Sequence, residues 1–409
     1  MFEIAVACLV ITALLAYVNA RFVGLPTTIG VMAVALLLSL ALIGLDRIGF
    51  GALREYETSL LRSIDFSEVL MEGMLSMLLF AGALHVDLSR LRRFRWQIGM
   101  LAVFGTMLST LIVGFGLHLL LPLLGLGMPL AYCLAFGALI SPTDPVAVMG
   151  ILKSAGINEE TGMVVAGESL FNDGVGVVLF SLLLGIAVSG ETPSLAEGAM
   201  TLVHEAGGGI VLGAVVGGLL FTLLRSINNY QVEVLLTLAA VLGGYELASH
   251  LHVSGPLAMV VAGVLIGNHG RSLAMSDTTR RHVDLFWELL DEILNAVLFV
   301  LLGLEIVVIA FPQNGWLAAI AVITLTLSAR LIAVGLPMAS FKRWFGLPDD
   351  AWMILTWSGL RGGISMALAL SMPAGPYRDL ILALTYAVVV FSILVQGLTV
   401  KPLVKAVRS

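Results

Sequence analysis

Thirteen stretches of predominantly apolar residues run through the chain, at 2–20, 24–44, 66–86, 96–122, 128–152, 161–187, 205–224, 231–249, 253–267, 284–309, 315–338, 350–372 and 378–400. About 20 such residues cross the hydrocarbon of a bilayer, where backbone groups find no water and must pair within a helix. The 409 residues therefore read as one all-α, multi-pass unit of a cell membrane, with the lipid bilayer as its main partner. Only 12% of the residues are charged, which excludes an ordinary soluble enzyme or a disordered chain. A net charge of -6 offers no basic surface, so no nucleic acid is expected as a partner. Glu3, with no basic residue ahead of the first apolar run, marks a retained helix rather than a secretory signal. Cys8 and Cys133 lie far apart in apolar stretches and read as core residues, not as a disulfide or metal ligands.

Orientation follows from the basic residues, which favour the cytoplasmic side in short loops. With the N-terminus outside, fifteen of the 21 Lys and Arg fall in inner loops and the tail, among them Arg90, Arg92, Arg93 and Arg95. Only Arg47, Arg54, Arg62 and Arg378 fall outside, while Arg330 and Arg361 remain within helices. An odd number of helices, N-terminus outside and C-terminus cytoplasmic, accounts for this asymmetry.

Two stretches carry helix breakers beside ionisable groups. The fifth contains Ser141-Pro142-Thr143-Asp144-Pro145, whose prolines lack N–H groups and so free the carbonyls of Ala138 and Ser141 from their helical partners. The twelfth contains Ser358-Gly359-Leu360-Arg361-Gly362-Gly363, where glycines weaken the helix around a permanent cation. Interrupted helices in corresponding positions of two halves point to a transporter's binding site. The offset of seven makes the two antiparallel. Helices one to six (2–187) and eight to thirteen (231–400) then form an inverted repeat, with the seventh (205–224) as connector. The ladder Gly209, Gly213, Gly217 in that seventh helix reads as a small-residue packing face.

A charge at the bilayer centre costs roughly 3 kcal/mol on insertion scales, so each one is a functional candidate. Counted from the cytoplasmic ends at about 1.5 Å per residue, Asp144 lies about 12 Å deep and Asp173 and Arg361 about 16 Å. In Gly167-Glu168-Ser169-Leu170-Phe171-Asn172-Asp173-Gly174, Ser169 and Asp173 share one helical face and Glu168 and Asn172 the neighbouring one. A hydroxyl and a carboxylate on one face suit a small hard cation. The other face offers Glu168 to Arg361 as a buried ion pair supporting the site. Glu72 is either a third acidic group or an interface residue. Glu305 and Arg330, separated by about 15 Å along the helix axes, are read as structural. Glu288, Asp291 and Glu292 are read as facing water, at most an acidic vestibule for cations.

At these residues the sequence resembles a known family. Ser141-Pro142-Thr143-Asp144-Pro145-Val146, the Gly167 to Gly174 run and Gly359-Leu360-Arg361-Gly362-Gly363 look like the NhaP-type sodium/proton antiporters, relatives of animal sodium/proton exchangers. Leu298 to Glu305 and Gln396-Gly397-Leu398-Thr399 extend the likeness along essentially the whole chain. The resemblance implies 13 helices, a core and a dimerisation subdomain interleaved in sequence, and a homodimer. It implies that Asp144, Asp173, Ser169 and the Thr143 backbone carbonyl bind the cation, that Glu168 pairs with Arg361, and that Glu72 contributes. Electrogenic relatives carry two adjacent aspartates where this chain has Asn172-Asp173, so a one-for-one, electroneutral exchange is expected.

The resulting expectation is exchange of Na⁺ or Li⁺ for H⁺ by alternating access. Asp173, helped by Asp144, holds a proton or a cation but not both, and no cofactor is involved. A K⁺/H⁺ antiporter of the same fold satisfies the same residue types. A sodium-coupled solute symporter would need substrate-sized polar groups beside the ion site, and none is seen. An intramembrane aspartyl protease would need its acids in Tyr-Asp and Gly-x-Gly-Asp settings, whereas here they stand in Thr143-Asp144-Pro145 and Asn172-Asp173-Gly174.

Overall fold

The computed structural model describes residues 2–47, 58, 73–144, 146–190, 194–309 and 315–408, so Glu72 lies outside the described residues. Among the described residues there is no strand. The longer helices are α1 (Phe2–Val18), α2 (Thr27–Arg47), α3 (Leu75–Leu84), α4 (Thr106–Leu120), α5 (Leu130–Ile140), α6 (Val146–Ser154), α7 (Glu159–Ser189) and α8 (Leu195–Ser226). They continue with α9 (Tyr230–His250), α10 (Gly255–Leu265), α11 (Asp277–Leu304), α12 (Gly315–Ser340), α13 (Ala351–Trp357), α14 (Gly363–Leu370), α15 (Arg378–Phe391) and α16 (Gly397–Arg408).

Eight helical spans among the described residues are long and apolar enough to cross a membrane. The stretches that do not reach that standard are short, interrupted, or acidic along their N-terminal half, as α11 is with Asp284, Glu288, Asp291 and Glu292. Leu14, Leu119, Val211 and Ile320 are among many large apolar side chains left on the outside of the bundle, which a lipid solvent accommodates at no hydrophobic cost.

Polar residues at the ends start the helices. Asn158 accepts from the Glu160 N–H at 2.7 Å to open α7, and Ser194 with Glu197 forms a reciprocal capping box on α8. Ser254 caps α10, whose Pro256 falls in the first turn, where its missing N–H costs nothing. Asp87 caps a short helix over Leu88–Arg93, and the Ser89 hydroxyl with two backbone N–H groups holds its carboxyl below the ordinary value.

The helices pack in two groups. α1–α3 lie with α8–α11, and α4–α7 with α12–α16, while α7 and α11 reach across from one group to the other. Gly209 and Gly213 let α8 press onto the backbone of α10 at Ser254 and Ala258, with Gly217 against Ala262, so the ladder serves as a packing face. Cys133 is buried and Cys8 half-buried, both as free thiols.

Candidate functional site

One break falls at Pro142 and the other at the glycines. The chain leaves helical geometry between α5 and α6 at Ser141–Asp144, and between α13 and α14 around Gly359–Gly362. The two interruptions meet, because the Asp144 N–H donates to the Leu360 carbonyl at 2.8 Å. Backbone groups unpaired within each helix are thus paired between helices, the condition for irregular backbone at membrane depth. The approach requires glycine at 362, since a Cβ there would stand 2.7–2.8 Å from Asp144 Cβ and Cγ. One freed carbonyl is corrected. Ala138 O accepts a bond from the Ser141 N–H at 3.4 Å, because the helix end tightens before Pro142.

α7 passes this crossing unbroken and carries the other half of the site. Gly176 lets it approach Pro142, where a Cβ would come within 2.9 Å of Cδ. Asn172 then brackets the first break: its Oδ1 accepts from the Thr143 N–H at 3.2 Å and its Nδ2 donates to Thr143 Oγ1 at 2.9 Å. The Thr143 and Ser169 hydroxyls bond to each other at 2.8 Å. Thr143, Ser169, Asn172 and Asp173 are all 4% exposed or less. Asp173 has Asp144 and Glu168 close enough to act on its charge. The site therefore gathers two carboxylates and two hydroxyls, buried except for the half-exposed Asp144. A small cation or a proton relieves the repulsion between such carboxylates.

The supporting ion pair differs from the sequence expectation. Glu168 is paired with Arg330 of α12, not with Arg361: both carboxylate oxygens accept from the guanidinium, through Arg330 Nη1 and, at 2.8 Å, through Nη2. Nη2 also donates to the Leu355 carbonyl at 2.9 Å. Arg361 lies near enough to feel both Glu168 and Arg330, but its side chain turns back to give Nη1 to the Gly359 carbonyl at 2.6 Å. The break supplies that acceptor locally. Ser392 takes the Arg361 N–H at 2.8 Å and passes its own hydroxyl hydrogen to Gln396, so a π-helical turn ahead of α16 braces the second break. Gly359 packs against the Arg330 guanidinium, where a Cβ would stand 2.6 Å from Nε.

Asp291 is a site neighbour that the sequence reading assigned to water. Glu288 and Glu292 are exposed, but Asp291 is half-buried, accepts from Asn295 Nδ2 at 3.1 Å, and has Asp144 near enough to repel it. The signal lay in its spacing. Asp291 and Leu298 are one heptad apart on one face of α11, and Leu298 covers Gly363 at the second break.

Fold and site together define a multi-pass membrane transporter whose acidic groups sit where two broken helices cross. The sequence matches the model of the sodium/hydrogen exchanger family, transmembrane region, over residues 9–406. The chain belongs to that family and is a secondary transporter rather than an enzyme. It is 53% identical, over 100% of its length and 97% of the relative's, to the Na⁺/H⁺ antiporter NhaP of Pseudomonas aeruginosa. It is 34% identical, over 91% of both chains, to the Na⁺/H⁺ antiporter NhaH of Halobacillus aidingensis. Its fold is that of the sodium proton antiporter MjNhaP1 from Methanocaldococcus jannaschii at pH 8, with a TM-score of 0.77, 20% identity, and 98% of this chain and 96% of that one covered.

Proposed function

We propose that the protein exchanges Na⁺ for H⁺ across the cell membrane by alternating access, with Asp173 and Asp144 as the groups for which ion and proton compete. The observation that carries this reading is the convergence of both carboxylates with the Thr143 and Ser169 oxygens at the crossing of the two breaks, with Asp173, Thr143 and Ser169 buried and Asp144 half-buried. A bare pair of adjacent carboxylates within the membrane is costly, whereas a neutralised pair is not, so the unit crosses between its two states only when loaded. Exchange rather than leak is the consequence. Hard oxygen ligands favour Na⁺ or Li⁺, and K⁺ is the alternative cargo on the same ligand types.

Asn172 supplies no titratable group beside Asp173, and its amide is engaged with Thr143 and Glu168, which supports a 1:1 electroneutral cycle. We assign the chain 13 spanning helices with the N-terminus outside, an inverted repeat about α8, and a homodimer. The α4–α7 and α12–α16 group carries the ion. The test is Asp173→Asn in everted vesicles followed with a pH dye. Sodium-driven proton movement should be abolished while the variant still reaches the membrane. Undiminished movement would remove Asp173 from the site.

A further inference from the structure

Away from the carboxylates, a cavity of about 10 Å³ lies beside the second break, lined among others by Thr326, Arg330, Gly359, Arg361 and Gln396. That is about the room one water molecule requires. Thr326, Arg330 and Arg361 are 4%, 7% and 2% exposed, and each carries one buried atom without a hydrogen-bond partner: Thr326 Oγ1, Arg330 Nε and Arg361 Nε. Both guanidinium nitrogens are donors only, and neither can shed its proton to avoid the cost. The neighbouring protein acceptors are already engaged. Gly359 O takes Arg361 Nη1, Leu355 O takes Arg330 Nη2, and Gln396 Oε1 takes the Ser392 hydroxyl.

Two donors left unmet on the wall of one water-sized cavity call for a single compact acceptor within it. We propose that the cavity binds one water, which accepts from Arg330 Nε and Arg361 Nε and donates to Thr326 Oγ1. This water joins the guanidinium of the continuous helix α12, already locked to Glu168, to the guanidinium of the second break. It thereby ties the Glu168 to Arg330 pair to the backbone that meets Asp144. Thr326 is a positioning residue in this arrangement, and Gly359 keeps the cavity open, because a side chain there would enter it against Arg330. A halide offers the same acceptor chemistry and is the rival occupant that the experiment must distinguish.

The experiment is diffraction from crystals of the full-length protein grown in bromide and collected at the bromine edge, for wild type, Thr326→Val and Thr326→Ser. The expected result is a single peak within hydrogen-bond distance of both Nε atoms, without anomalous signal, lost in the valine variant and retained in the serine one. Transport in proteoliposomes should follow, with the valine variant slowed several-fold at an unchanged KM for the cation and the serine variant near wild type. A bromine signal would overturn the water in favour of a halide. No peak in wild type, or a peak and rate that Thr326→Val leaves unchanged, would overturn the site.

Discussion

Replacing Glu168 by glutamine keeps the shape of the side chain but leaves the Arg330 guanidinium buried without its carboxylate. The two groups are 1% and 7% exposed, and among the described residues Arg330 otherwise donates to the Leu355 carbonyl. Breaking a buried pair from one side costs about 3–5 kcal/mol. An unfolding entropy of about 2.1 cal/mol/K per residue gives roughly 0.9 kcal/mol/K for the whole chain, so the melting point should fall by about 4–6 °C. The assay is thermal unfolding of purified protein in detergent. Removing both charges is the informative step. Glu168→Gln with Arg330→Met eliminates the stranded cation and should recover most of the loss, whereas Glu168→Gln with Arg361→Met should not. Recovery with the Arg361 partner, and none with Arg330, would refute the pairing. A melting point for Glu168→Gln within a degree of wild type would refute the burial argument itself.

Gly362→Ala should assemble in the membrane but lose most cation-driven proton flux, because its Cβ would collide with the Asp144 side chain, and dye quenching in vesicles at matched expression measures this. Normal flux would mean that the two breaks are looser than the Asp144 N–H to Leu360 bond implies. Asp291→Asn should raise the apparent KM for the cation several-fold with a smaller change in kcat, since the half-buried carboxylate lies near Asp144 and outside the site. An unchanged KM at low and high ionic strength would return Asp291 to the solvent face.

The breaks were legible because Pro142, Pro145 and the three glycines at 359, 362 and 363 act through the backbone, where sequence speaks directly. The faces of α7 were legible for a similar reason. A helix of regular pitch keeps Ser169 with Asp173 and Glu168 with Asn172. The role of Asn172 as a bracket on Thr143 was not, since it depends on how closely Pro142 approaches Gly176. The partner of Glu168 was misread because depth was counted along straight helices. In a broken segment the nearest acceptor for Arg361 is its own chain, at Gly359, which leaves Arg330 to meet the carboxylate. Asp291 was obscured by its neighbours Glu288 and Glu292, which do face outward. On an amphipathic segment the average character hides the one acid that turns inward.

The central claim, a one-for-one exchange at Asp173 and Asp144, is tested most directly in proteoliposomes holding the purified protein, with the membrane potential clamped. An imposed sodium gradient should drive the same steady-state pH difference at 0 and at -100 mV. Each net charge moved per cycle would contribute about 2.3 kcal/mol at that potential, enough to displace the pH difference plainly. A pH difference independent of potential, absent in Asp173→Asn, is the predicted result. One that shifts with potential, or survives in Asp173→Asn, would contradict the account.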